Sequence, residues 1–103
     1  MNLTKFLPLT ETTFYIMLAL QEAAHGYIVI QKVEELSEGK VRIAAGTMYG
    51  ALDNLTKQKL IESVKSEDAR RKLYKLTEEG HEVLRLETTR LRHMIKISQE
   101  LGF

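Results

Sequence analysis

Between Gly46 and Leu76 the sequence GTMYGALDNLTKQKLIESVKSEDARRKLYKL changes its apolar rhythm in a way few small folds accommodate. Met48, Ala51, Leu52, Leu55 and, at the end, Leu60 recur at helical spacing, while Asp53, Asn54 and Lys57 fall on other faces. Two short strand patterns follow, Ile61 to Lys65 and Lys72 to Leu76, around the charged tip SEDARR. Tyr74 and Leu76 alternate with Lys75, which gives the second strand one buried face. A helix running into a β-hairpin is therefore expected. Its later part also carries the charge: from Lys57 to Lys75, Lys57, Lys59, Lys65, Arg70, Arg71, Lys72 and Lys75 face only Glu62, Glu67 and Asp68, a local +4 on a chain of net +1, leaving −3 elsewhere. One basic patch on a nearly neutral protein points to polyanion contact at one place.

At 103 residues the chain is expected to be a single domain, and 44% hydrophobic with 28% charged residues is ordinary for a folded protein. The absence of cysteine excludes both a disulfide framework and a thiolate metal site. FYIMLAL, after Lys5 and before Ala23 and Ala24, has the outline of a secretory signal, but Glu11 and three threonines interrupt its approach. A buried helix is the better reading, nothing reaches the roughly 20 apolar residues of a membrane span, and a cytoplasmic location is expected.

The only proline, Pro8, ends a short leader, and Thr10 is placed to cap a first helix running to about Ala24. Phe14, Met17, Leu18 and Leu20, widened by Tyr15 and Ile16, make this the central helix. His25-Gly26 breaks it, with glycine suited to a left-handed cap. A second helix from about Tyr27 to Leu36 carries Ile30, Val33 and Leu36 on one stripe, then Ser37–Lys40 turns. Val41-Arg42-Ile43 alternates like a short strand.

Thr77 and the acids Glu78 and Glu79 open a last helix reaching about Leu101, roughly 36 Å long. That length exceeds what a small core covers. Leu84, Thr88, Leu91, Ile95 and Ser98 fall at a/d spacing, and Glu87, Met94 and Leu101 widen the seam, with Val83, Leu86 and Ile97 on a second stripe. Wet apolar surface costs about 25 cal/mol per Å², so a second copy is the economical cover and a two-fold dimer its commonest form. Leu84, Leu91, Met94, Ile95 and Leu101 are the candidate dimerisation residues. The expected fold is mainly α with a small β-hairpin: a winged helix-turn-helix domain over residues 1–77, with a long C-terminal dimerisation helix over 78–103.

A helix that enters a major groove needs short or polar side chains near its N-terminus. Gly46 and Gly50 remove side chains, Thr47 can cap the helix or donate to a phosphate, and Tyr49 offers a hydroxyl on a stiff arm. Asn54 and Lys57, one and two turns on, can add base-edge and phosphate contacts; the plainer alternative makes Thr47 only a cap and Tyr49 half core. Arg70, Arg71 and Lys72 at the hairpin tip suit a phosphate or minor groove, or else form a solvated charged turn. His25, His81 and His93 are scattered, and no HExxH, phosphate loop or nucleophile elbow occurs. No enzyme activity, cofactor or metal site is expected.

The run HGY (His25–Tyr27), GTMYGALDNL, the following LIES, and RRKLYKLTEEG through Gly80 resemble the PadR family of transcriptional regulators, in order and over most of the chain. The short last helix is similar to the family's compact branch. The resemblance implies a homodimeric repressor on double-stranded DNA with a roughly palindromic operator, relieved by small aromatic or apolar compounds near the first and last helices. It carries DNA contact to Thr47, Tyr49 and the wing around Arg71, and makes Phe14, Met17, Leu18, His93, Met94 and Ile97 candidates for an effector pocket. A dry dimer core is the alternative use of those apolar residues. Three features depart from the family pattern. Lys59 stands where glycine usually ends the reading helix, the tip SEDARR lacks Gly and Pro, and there is no tryptophan to form an aromatic clamp. A winged-helix adaptor that binds protein, and a small-molecule-binding dimer without a DNA role, are the alternatives from other classes.

Overall fold

The computed structural model describes residues 2–67 and 71–103. A short 3-10 helix (Leu3–Phe6) precedes α1 (Glu11–Ala19), β1 (Ala24–His25), α2 (Gly26–Leu36), α3 (Ala45–Lys57), β2 (Ile61–Val64), β3 (Leu73–Leu76) and α4 (Glu78–Glu100). The strands form an antiparallel sheet in the order β1-β3-β2. Ile16, Met17 and Leu20 at α1, Val29 and Val33 of α2, Met48 and Leu52 of α3, and Val83 of α4 are all fully buried. The first helix is deeply buried in this core, as its pattern predicts.

Several expectations are corrected. The first helix stops at Ala19, not Ala24, because Ala24 and His25 leave it to pair with Tyr74 and Leu73 as the outer strand of the sheet. Gly26 is not a left-handed cap; it is the buried first residue of α2. In α2 the inward stripe is Val29 and Val33, while Leu36 is 51% exposed. Val41–Ile43 does alternate, with Val41 and Ile43 buried and Arg42 exposed, but it is not a strand. The buried Ser37 hydroxyl accepts from the Val41 N–H (2.9 Å), so that group is satisfied by a side chain four residues back and not by a strand.

Helix ends follow capping chemistry. Thr10 and Thr77 cap α1 and α4, accepting from the N–H groups of Thr13 and Gly80 at 3.1 and 3.0 Å. At the end of α3, Lys59 takes φ +62°, the left-handed geometry its position implies without the usual glycine. The Leu60 N–H reaches back to the Leu55 carbonyl and the Lys59 N–H to that of Thr56, both at 3.0 Å. Thr77 then locks α4 to this turn: its hydroxyl donates to the Lys59 carbonyl (2.7 Å) and its N–H to that of Leu60 (3.1 Å).

The first half of α4 belongs to the main core through Val83, Leu84 and Glu87, so the division after residue 77 does not separate two cores. From Arg92 to Phe103 every residue is exposed. Met94 (51%), Ile95 (56%) and Leu101 (72%) stand in solvent, and Leu91 is half-buried. The helix outruns its domain, as its length predicts. No helix among the described residues is long and apolar enough to cross a membrane.

Candidate nucleic-acid interface

Burial of Met48, Leu52 and Leu55 fixes the roll of α3 and turns Thr47, Tyr49, Gly50, Asn54 and Lys57 outward together. Thr47 is not the cap. Ala44 occupies that position and supplies no side-chain hydrogen bond, which leaves the Thr47 side chain on the exposed face. The cap of α2, His25, supplies none either, in contrast to the threonine caps of α1 and α4. The two helices of the helix-turn-helix thus begin without a side-chain acceptor, the arrangement in which main-chain N–H groups can meet an anion. A Cβ built at Gly46 or Gly50 would touch nothing within 4 Å. Neither glycine is required by packing, and both leave the outward face of α3 bare.

The hairpin adds the charge. Lys65, Arg71, Lys72 and Lys75 are all exposed. Lys75 faces Glu62 across the strands at 3.6 Å, a solvated pair that contributes little to stability. Arg70 lies outside the described residues.

Where α3, the start of α2 and the base of the hairpin meet, they enclose a notch of about 360 Å³ lined by His25, Gly26, Tyr27, Tyr49, Asp53, Arg71, Lys72 and Tyr74. His25 Nδ1 lies 3.1 Å from the Lys72 carbonyl and ties β1 to the root of the wing. Tyr74 is 5% exposed, and its phenol is held above the usual pKa by burial first, then by the Asp53 carboxylate and by Tyr49. Sequence reasoning brings out Tyr49, Arg71 and Lys72 but misses that His25, Tyr27, Asp53 and Tyr74 join them. The HGY motif holds the only sequence signal for part of this wall.

The candidate effector residues are divided. Met17 is fully buried, Phe14 and Leu18 are half-buried on α1, and His93, Met94 and Ile97 are exposed on the outer half of α4. Leu84 is taken up by the chain's own core, whereas Met94, Ile95 and Leu101 remain available to a second surface. Among the described residues no group of three or more His, Cys, Asp or Glu is arranged to hold a metal ion.

Three helices, a three-stranded sheet and a basic wing beside an outward polar helix define a winged helix-turn-helix protein. The description "Transcriptional regulator PadR-like family" matches residues 16–86, and the chain belongs to that family. It is 35% identical over 60 residues to the transcriptional regulator YqjI of Escherichia coli (strain K12), which covers 58% of this chain and 28% of that protein. The chain thus spans little more than a quarter of that relative's length. Among solved structures, a PadR-like transcription factor from Bacteroides fragilis is similar with a TM-score of 0.74, 26% identity, and coverage of 88% of this chain and 89% of that one. A PadR family transcription regulator from Clostridium difficile R20291 is similar with a TM-score of 0.70, 29% identity, and coverage of 87% and 98%.

Proposed function

We propose that the chain is a sequence-specific DNA-binding repressor that acts in the cytoplasm as a homodimer on a pseudo-palindromic operator and is released by a small aromatic or apolar effector. The observation that carries the reading is the convergence of the outward face of α3 and the cations Arg71 and Lys72 on one surface around one notch. Thr47, Gly50, Asn54 and Lys57 give α3 a polar outward face, which suits base edges and phosphates better than a protein partner. The solvent-exposed Met94, Ile95 and Leu101 support pairing through α4. Two reading helices held by such a pair would face half-sites about 34 Å apart, one turn of DNA. The effector reading rests on the family resemblance, with Phe14, Leu18, His93, Met94 and Ile97 as its candidate wall.

Selection of bound duplexes from a random pool at low salt should enrich one two-fold motif; failure to enrich any sequence would sink the regulator reading. Once an operator is in hand, log affinity should fall linearly with log salt, by about 0.9 per neutralised phosphate. Replacing Arg71 and Lys72 together by alanine should weaken all duplexes and flatten that slope by about 2. An unchanged slope would remove the wing from the interface. Ile95→Glu with Leu101→Glu should halve the sedimenting mass and lower operator affinity by about a hundredfold, through loss of the linked second half-site. A dimer that survives both substitutions would show that α4 is not its seam.

A further inference from the structure

The notch has a socket in it. Tyr49 is 46% exposed on α3, yet one edge of its ring lies against the main chain of Gly26, the first residue of a different helix. A Cβ built on Gly26 would stand 2.7 Å from Tyr49 Cε1 and 3.0 Å from both Cζ and the hydroxyl oxygen. The first distance is shorter than real Cβ contacts, so the Tyr49 ring would have to shift.

Nothing in the backbone asks for glycine there. The left-handed glycines are Gly39 and Gly102; Gly26 is not one of them, and it occupies a helical position that alanine would favour. Gly46 and Gly50 also meet nothing, so their bareness has no counterpart inside the chain. The three atoms nearest the Cβ that Gly26 lacks all belong to the phenol of Tyr49. Asp53, one helical turn beyond Tyr49, Tyr74 of β3 and His25, whose ring meets the Lys72 carbonyl, line the same notch.

We infer that Gly26 is a positioning residue for DNA recognition: its bare backbone seats the Tyr49 ring and so fixes where the phenol hydroxyl is presented on the reading face. Selectivity of α3 then depends on a residue that α3 does not contain. This inference rests on the DNA-binding reading. It differs from direct backbone contact between Gly26 and a phosphate, because a side chain at position 26 would act through Tyr49 and only where the hydroxyl matters.

A double-mutant cycle tests it. Gly26→Ala, Tyr49→Ala and the double variant are measured by fluorescence anisotropy on the selected operator and on a scrambled duplex of equal length, at one salt concentration. Gly26→Ala should weaken operator binding about tenfold and leave the scrambled duplex within about twofold. In the Tyr49→Ala background the same change should alter operator affinity less than about twofold. Equal losses on both duplexes, an undiminished loss in the Tyr49→Ala background, or no loss at all would overturn the inference. If Gly26→Ala fails to fold, the double variant should fold, because the obstructing ring is gone; failure of both would overturn it too. A second arm needs no DNA. With 3-fluorotyrosine incorporated, the resonance assigned to Tyr49 should shift and broaden in Gly26→Ala while that of Tyr15 stays in place. If the wild-type protein selects no operator yet Gly26→Ala shows this shift, the DNA reading is refuted and the socket stands; an unmoved resonance would refute the socket.

Discussion

Gly80→Ala should lower stability by about 3 kcal/mol, a fall in melting temperature of roughly 12–24 °C for a domain of this size. Gly80 is the third residue of α4, buried, and not left-handed, so helix propensity alone predicts a gain of about 1 kcal/mol from alanine. Packing reverses the sign. A Cβ at this position would fall on the Leu60 carbonyl oxygen, well inside contact distance, with the Leu76 side chain at 3.1 Å on another side. That carbonyl has little room to yield, since it accepts from the Thr77 N–H at 3.1 Å while the Leu60 N–H is bonded to Leu55 at 3.0 Å. The Leu60 side chain is itself 1% exposed. Thermal melts followed by circular dichroism read the effect, and a variant that melts at or above the wild-type temperature would show that α4 and the α3–β2 turn are not in such close contact.

The second large effect is expected at Glu87, a carboxylate only 1% exposed. It accepts from the Leu9 N–H at 2.7 Å and from Arg90, whose Nη2 is 3.1 Å from Oε2 and whose Nε donates to Oε1. One side chain therefore joins the N-terminal segment to α4. Glu87→Ala would orphan that N–H and remove the partner of Arg90; because Arg90 is 37% exposed and can rehydrate, about 2–3 kcal/mol is expected, below the loss for a fully buried pair. The hydrogen bond from Arg90, aided by the Leu9 N–H and opposed by burial, holds the Glu87 pKa below the usual carboxylate value. A depressed folded-state pKa means that the unfolded chain takes up the proton first on acidification. The contribution is thus complete above the ordinary glutamate pKa of about 4.3 and lost as pH falls through the folded-state value. Glu87→Gln should flatten stability against pH below about 5. An acid limb as steep as that of the wild type would assign acid sensitivity to other carboxylates.

The helix–hairpin segment was legible because its order depends on local period and local charge. Met48, Leu52 and Leu55 point inward as their spacing requires, and that choice alone turns Thr47, Asn54 and Lys57 outward. The left-handed Lys59 stands at the position that the family resemblance marks for glycine. What could not be read locally was set through space. Ala24 and His25 become a strand only because β3 offers Tyr74 and Leu73 as partners, and two residues are too few to show a period. Val41 and Ile43 displayed a true in-out alternation, but the Val41 backbone meets the Ser37 hydroxyl, not a neighbouring strand. Gly26 looked like punctuation between helices; its reason lies on α3, in the ring of Tyr49. The same limit applies to the notch, whose walls come from α2, α3 and the hairpin and share no motif.

The bolt between Thr77 and the Lys59–Leu60 turn makes α3 and α4 a single bracket with a fixed corner. In the proposed dimer joined through α4, this corner would tie each α3 to its lever, so that the crossing angle of the two α4 helices would set the span between heads. Over a helix of about 34 Å, a pivot of about 6° carries the far end about 3.5 Å, close to one base-pair step. In the proposed dimer, such a pivot alone would put two intact heads one step out of phase with their half-sites.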